Sequence, residues 1–354
     1  MYGRIVRSLS IYFILALFCL PFLPYPVNAN LVIKATYDQS ITDMSDSADI
    51  MSVINNTLDI YDTMYTNKAT ISLDFTSMDT GLAESTNTIY SLPYTTYLTA
   101  LTKDKQGDDT SFLQFIQPTP QNGNPVNGNA AIKLTSANLT AIGVAGAAPG
   151  APSGGVNYDS VISLNFSELN ITRVNPDDYK DDLETVVEHE VDEALGMNSG
   201  LNGAGNNIVG MPGGPVAPMD LYRYDINGNR SYTTNPGTQA YFSVDGGKTD
   251  LEQFNQTPGL DYQDWKSSNQ AYVQDAASTL GADPDLALPE LKALDVLGYN
   301  TAAPAPETPT STAFGLMLVG AMMIMLYKNS AKRAPLLDEV AVNTSFRPHE
   351  GSQP

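Results

Sequence analysis

The sequence predicts an α+β fold in which a twisted mixed sheet packs around a central helix at about residues 176–195. Two segments, 69–78 and 161–170, alternate apolar and polar side chains, which is typical of half-buried strands. Residues 47–65 instead place apolar side chains at helical spacing. Strands and helices are therefore both expected, in the pattern of an α+β domain.

The other predicted elements follow from the same patterns and from turn residues. In chain order they are a strand at 31–36, a helix at 94–105, loops at 117–128 and 145–157, a hairpin over 220–234, a strand at 240–244 and a terminal helix at 289–297. The hairpin prediction depends on the Asn227-Gly228 pair, which favours a tight turn between two strands.

The central helix has strong predicted ends. Asn175 is a good N-cap, Pro176 suits the first helical position, and Asp177 and Asp178 place negative charge in the first turn. Gly196 predicts the end of the helix, since glycine readily adopts the left-handed conformation there.

A metal-binding motif lies on this helix, where residues 188–196 read Glu-His-Glu-Val-Asp-Glu-Ala-Leu-Gly. In the H-E-x-x-H signature of zinc proteases, two histidines one turn apart bind zinc and the glutamate is the general base. His189 and Glu190 match this signature, and Glu193 occupies the second histidine position. Residues four apart share a helix face, and carboxylate oxygen is an accepted zinc ligand. We therefore predict His189 and Glu193 as ligands of zinc or another divalent metal, and Glu190 as the catalytic base.

A catalytic zinc site needs a third protein ligand and an open position for water. The longer zinc-protease signature places that ligand three residues after the glycine, where this chain has Ser199. The only other histidine, His349, lies near the C-terminus, beyond a long apolar run. We predict Asp220 as the third ligand, and Asp192 as the next candidate.

Several blocks of sequence carry a resemblance to a known family. They are His-Glu-Val-Asp-Glu-Ala-Leu-Gly, Met-Asp-Leu-Tyr-Arg-Tyr, Ala-Tyr-Phe-Ser-Val-Asp-Gly-Gly, Phe-Asn-Gln, Asp-Tyr-Gln-Asp-Trp and Glu-Leu-Lys-Ala-Leu-Asp-Val-Leu-Gly-Tyr, in that order. With these blocks the chain resembles exported bacterial metalloproteases of the matrixin-like zincin type, whose helix reads H-E-x-D-E. The resemblance covers residues from about 30 to 300. It implies a zincin-like domain over 30–303 with a central active-site helix, zinc as cofactor, and a protein or peptide substrate.

The N-terminal 29 residues predict a signal peptide and therefore export. Arg4 and Arg7 precede an apolar run, and Val27-Asn28-Ala29 is a small-residue exit. The only cysteine, Cys19, falls inside this segment, so a mature protein without it has no disulfide.

The C-terminal end predicts a membrane anchor. Residues 304–310 form a Pro-rich linker, residues 311–327 are an uncharged apolar run, and residues 328–354 begin with a basic cluster. The basic flank places this tail in the cytoplasm by the positive-inside rule. A buried core helix is the alternative for 311–327, and the linker disfavours it. The arrangement resembles a PEP-CTERM sorting signal, which implies a sorting protease as partner and a location in the cell envelope or outside the cell.

Charge restricts the remaining functions. Residues 30–303 contain 35 acidic and 12 basic residues, a net charge of about −23, which argues against binding nucleic acid. Two functions remain from the sequence. One is an exported, membrane-anchored zinc peptidase, and the other is a non-catalytic surface or matrix protein that keeps the same fold.

Overall fold

The computed structural model describes residues 31–106, 108–201 and 214–301. The helices of these residues are α1 (Gln39–Thr42), α2 (Ser47–Met64), α3 (Tyr94–Asp104), α4 (Ser136–Ala141), α5 (Leu183–Leu195) and α6 (Leu288–Leu297). The strands are β1 (Leu31–Tyr37), β2 (Ala69–Ser77), β3 (Ala83–Asn87), β4 (Ile89–Pro93), β5 (Ala131–Thr135), β6 (Ala151–Ser153), β7 (Val156–Tyr158), β8 (Ser160–Leu164), β9 (Leu169–Asn170), β10 (Asp181–Asp182), β11 (Arg223–Asp225), β12 (Ala240–Phe242) and β13 (Glu252–Gln253).

The main sheet has four strands in the order β1-β2-β8-β3. β1, β2 and β8 run parallel, and β3 pairs antiparallel with β8 at the edge. Ile71, Leu73 and Phe75 on β2 are fully buried, as alternating positions on a central strand should be. The fold is therefore α+β with a mixed sheet, as the sequence predicts.

Helix α2 packs against β1 and closes part of the core. Its buried side chains include Ile50, Ile54, Leu58 and Tyr61, which recur at helical spacing. The predicted helices at 47–65, 94–105 and 289–297, and the strands at 31–36 and 69–78, all match observed elements within one residue at each end.

Two predicted β segments are corrected. The strand predicted at 161–170 divides into β8 and β9, separated by a turn in which the Asn165 side chain accepts from Ser167 N. The hairpin predicted over 220–234 begins instead with a 3-10 helix, Pro218–Tyr222, and keeps only a bridge between Tyr224 and Arg230.

The start of the central helix is also corrected, from residue 176 to Leu183. The side chain of Asp177 accepts from the backbone N–H of Tyr179, and the side chain of Asn170 accepts from the backbone N–H of Asp177. These two bonds shape a turn. The turn returns the chain so that β10 pairs parallel with β9. The observed N-cap is Asp182, whose carboxylate accepts from Thr185 N at 3.0 Å.

The terminal segments named from the sequence lie outside the described residues. They are the signal segment 1–29, the linker 304–310, the apolar run 311–327 and the tail 328–354. Within the described ranges, no helix has the length and apolar character needed to cross a bilayer.

Candidate metal centre

Helix α5 holds the predicted motif against the edge of the sheet. It packs on β3 and on α2, where the hydroxyl of Tyr61 donates to the Glu188 carbonyl at 3.1 Å and to Asp192 at 2.8 Å. The helix ends at Gly196, which has φ of 125°. The predicted end is therefore confirmed, and the motif lies on the last two turns of a well-anchored helix.

His189 and Glu193 face the same cleft, as their spacing predicts. The ring Nδ1 of His189 lies 2.9 Å from the carbonyl oxygen of Val273, so Nδ1 carries the proton in this contact. Nε2 is left with a free lone pair, 3.9 Å from Glu193 Oε1. This is the arrangement by which metal-binding histidines are oriented.

Asp264 completes a group of three with these two residues. Its Oδ2 lies 3.9 Å from His189 Nε2, and one ligand atom from each of His189, Glu193 and Asp264 lies within 4.8 Å of the others. The neighbouring Trp265 is fully buried and fixes the segment, since its indole N–H donates to Glu290 at 2.9 Å. Asp264 is therefore presented to the cleft by a rigid stretch of chain.

Two neutral donors hold the Glu193 carboxylate. Ser85 on β3 donates to Oε2 at 2.6 Å, and the amide of Gln263 donates to Oε1 at 2.6 Å. Because neither donor carries a positive charge, the two bonds orient the carboxylate without neutralising it.

Glu190 lies next to this group and is only 5% exposed. Its Oε2 has no hydrogen-bond partner among the described residues. Burial raises the pKa of Glu190 well above its usual range, and the nearby carboxylate of Glu193 raises it further. A carboxylate whose pKa is raised in this way is a stronger base than an exposed one.

The prediction of Asp220 as third ligand is not supported by the structure. Both of its oxygens accept hydrogen bonds elsewhere, from Ser199 Oγ at 2.6 Å and from the backbone N–H of Gly200 and Ala217 at 2.8 Å each. These bonds fix the turn that opens the 3-10 helix, and Asp220 is neither among the described residues that line the cleft nor in the group of ligand atoms around His189.

Asp192, the second candidate, is fully buried on another face of α5 and bonds to Tyr61. It differs from Glu193 by one helix position, which rotates it by about 100° from the cleft.

The cleft lined by His189, Glu190, Glu193 and Asp264 has a volume of about 420 Å³ and is strongly acidic. Its described lining contains no lysine or arginine. The acidic lining residues are Glu84, Asp181, Asp182, Glu190, Glu193, Asp261, Asp264 and Asp275.

The donor set fits a divalent cation. Asp264 is 3% exposed, and its Oδ1 has no partner among the described residues. Burial raises the pKa of Asp264 well above its usual range, and Glu193 contributes in the same direction. Buried carboxylates with unpaired oxygens are costly unless a cation compensates them. One imidazole nitrogen and two carboxylate oxygens are ligands that zinc and harder divalent metals accept.

Of the residues grouped in this cleft, the sequence prediction names His189, Glu190 and Glu193, and it does not name Asp264, Ser85 or Gln263. Asp264 and Gln263 lie in the block Asp-Tyr-Gln-Asp-Trp, which carries part of the family resemblance. Membership of this block, next to Trp265, is the signal that the sequence offers for Asp264. Comparison with known proteins adds no assignment, since no family model, curated protein or solved structure matches this chain.

Proposed function

We propose that the protein is an exported, membrane-anchored zinc-dependent peptidase, with the metal held by His189, Glu193 and Asp264. The observation that carries the proposal is the convergence of these three ligand atoms beside the buried carboxyl of Glu190. The zincin-like assignment of the domain and the export and anchoring of the chain belong to the same proposal, and the sequence patterns described above support them.

A bound divalent metal ion supplies Lewis acidity, which makes water a nucleophile at neutral pH and polarises a carbonyl group. Glu190 accepts the proton of the attacking water on its carboxylate and returns it to the amine that leaves. The raised pKa of Glu190 supports this role, because it makes the carboxylate a stronger base than an exposed glutamate.

The edge of the sheet supports a peptide substrate. At the two ends of β3, the carbonyl of Leu82 accepts from Asn165 N and Thr88 N donates to the carbonyl of Asp159. The even-numbered residues of β3 therefore bond to β8. By alternation, the peptide groups of Ala83, Ser85 and Asn87 point away from β8. Ala83 and Ser85 line the cleft, and an extended peptide would pair with this free edge beside the candidate metal ligands.

The ligand set also predicts modest metal selectivity. Two carboxylates give the site more oxygen ligands, which hard metal ions prefer, than a site built from three histidines. Manganese or calcium should therefore also bind, in addition to zinc. Their negative charge also offsets that of the metal, so peptide hydrolysis should be slow and should increase toward higher pH.

Two variants test the proposal on the purified protein. Glu190→Gln should keep its metal but lose peptide hydrolysis, because only the base is removed. His189→Ala should lose metal and hydrolysis together. Metal content is measured by elemental analysis, and hydrolysis with a mixture of quenched fluorescent peptides.

Hydrolysis by Glu190→Gln at the parental rate would contradict the role of Glu190. A parent protein that binds no divalent metal at micromolar concentration would favour the non-catalytic surface or matrix protein instead.

A further inference from the structure

The cleft is more acidic than one divalent metal requires. Its acidic lining includes Glu190 and the candidate ligands Glu193 and Asp264, and also Asp182, which is paired with Arg173 at 2.9 Å. Four further carboxylates line it as well. These four are Glu84, Asp181, Asp261 and Asp275. No lysine or arginine among the described lining residues balances them.

Asp275 and Asp181 are both buried, but only Asp275 has a buried oxygen without a partner among the described residues, whereas Asp181 bonds to Ser278. Asp275 is 6% exposed, and its Oδ2 accepts from Tyr272 N at 3.1 Å. Its Oδ1 has no partner among the described residues. The pKa of Asp275 is raised to about 6, mainly by burial, with Glu252 and Glu290 acting in the same direction. A cationic group would relieve this position.

The backbone directs Asp275 into the cleft. Gln274 O accepts from Trp265 N and Ala276 N donates to Trp265 O, so residues 274–276 pair with the segment that carries Asp264. Val273 and Asp275 line the cleft, whereas Gln274 between them is fully buried in the core. Val273 is the residue whose carbonyl orients His189, so Asp275 lies two residues from a direct contact of the candidate metal centre.

We propose that Asp275 forms a subsite for a lysine or arginine side chain, so that the cleft selects peptides with a basic residue near the bond that is cleaved. The inference rests on the proposed peptidase function. A guanidinium or ammonium group would donate to the Asp275 carboxylate, and its methylene stem would lie along the apolar lining beside Val273.

The test uses two fluorescent peptides that differ only in one arginine and its neutral isostere, citrulline. Binding is measured by fluorescence anisotropy on metal-loaded Glu190→Gln protein, in which cleavage is blocked. The arginine peptide should bind about tenfold more tightly, as expected for a charge-assisted hydrogen bond in a buried site. In the Asp275→Asn background this preference should fall to about twofold or less.

Two further variants separate this site from the general negative charge of the protein. Asp275→Glu keeps the charge and should keep a preference for arginine. Asp59→Asn removes one exposed negative charge from α2, and Asp59 is not among the residues that line the cleft. This variant should keep the full preference for the arginine peptide. Equal binding of the two peptides to the Glu190→Gln protein, or an unchanged preference after Asp275→Asn, would overturn the inference.

The metal-loaded protein with Glu190 intact then separates the two proposals. Cleavage of both peptides with equal binding would leave the peptidase function standing and reject the subsite. Preferential binding of arginine with no cleavage of either peptide would support the subsite and reject the peptidase function.

Discussion

Replacing Asp264 with asparagine should stabilise the metal-free protein while removing its response to metal. In the metal-free state this aspartate is 3% exposed, has one oxygen without a partner among the described residues, and lies beside Glu193. Asparagine keeps the shape and removes the buried charge. Residues kept for ligand binding often lower the stability of the empty site in this way.

The size of the effect follows from the negative charge, since the asparagine amide is still polar and only the charge beside Glu193 is removed. A buried polar group without a partner costs roughly 1–3 kcal/mol, and more when it is charged, so a neutral amide should recover an amount of this order. For a domain of this size, 1 kcal/mol changes Tm by about 2–4 °C. The Tm of metal-free Asp264→Asn should therefore rise by about 2–12 °C. In the parent, zinc at 100 times its Kd should add about 2.7 kcal/mol, or about 5–11 °C, and the variant should gain almost nothing.

The assay is thermal denaturation at pH 7.5, first with a chelator and then with zinc. Asp220→Asn is the matched control, because Asp220 is another buried aspartate whose oxygens are all bonded. That substitution should lower Tm and leave the zinc response intact. A lower metal-free Tm for Asp264→Asn, or a zinc response equal to that of the parent, would refute the reasoning.

Three further predictions concern pH and the residues around the site. Burial raises the folded-state pKa of Glu190, Glu193 and Asp264 above the usual 3.8–4.5, so the folded state binds more protons than the unfolded one above about pH 4. The Tm of the metal-free protein, followed by calorimetry, should therefore fall as pH rises from 5 to 8, and a rise would contradict this account. Arg223→Met should weaken zinc binding by about 10–100-fold in a competition titration. The reason is that the Arg223 guanidinium holds the carbonyls of Asn255 and Tyr262 in the loop that leads to Asp264. Unchanged zinc affinity would exclude this role. Ser85→Ala should weaken zinc binding by about tenfold in the same titration, because it frees one oxygen of Glu193, whereas an unchanged Kd would show that Gln263 alone orients that carboxylate.

Local patterns predicted α2, α3, α6, β1 and β2, but not the short strands β3 to β7. Apolar periodicity located α2, β2 and the C-terminal helix, because each buries one face against a single core. The pattern was misleading at Asn175-Pro176-Asp177-Asp178, where good helix-capping residues form a turn instead. The side chain of Asp177 accepts from the backbone N–H of Tyr179 there, and Asp182 is the residue whose carboxylate caps α5. Capping residues and turn residues are chemically the same, so local sequence does not distinguish the two outcomes.

The candidate site was predictable only where it is local. His189, Glu190 and Glu193 share a helix, and helical geometry alone places two of them on one face. Asp264 is distant in sequence, and the pairing of its segment with residues 274–276 brings it to the cleft. Asp220 and Asp264 are both aspartates in distinctive blocks, and only the tertiary structure shows which one is already satisfied by backbone N–H groups.

The most direct test of the central claim is anomalous diffraction from crystals of the protein grown with zinc, recorded on both sides of the zinc absorption edge. The account predicts one strong anomalous peak within coordination distance of His189 Nε2, Glu193 Oε1 and Asp264 Oδ2. No peak at this position in crystals that contain zinc, or a zinc peak held by Asp220, would contradict it.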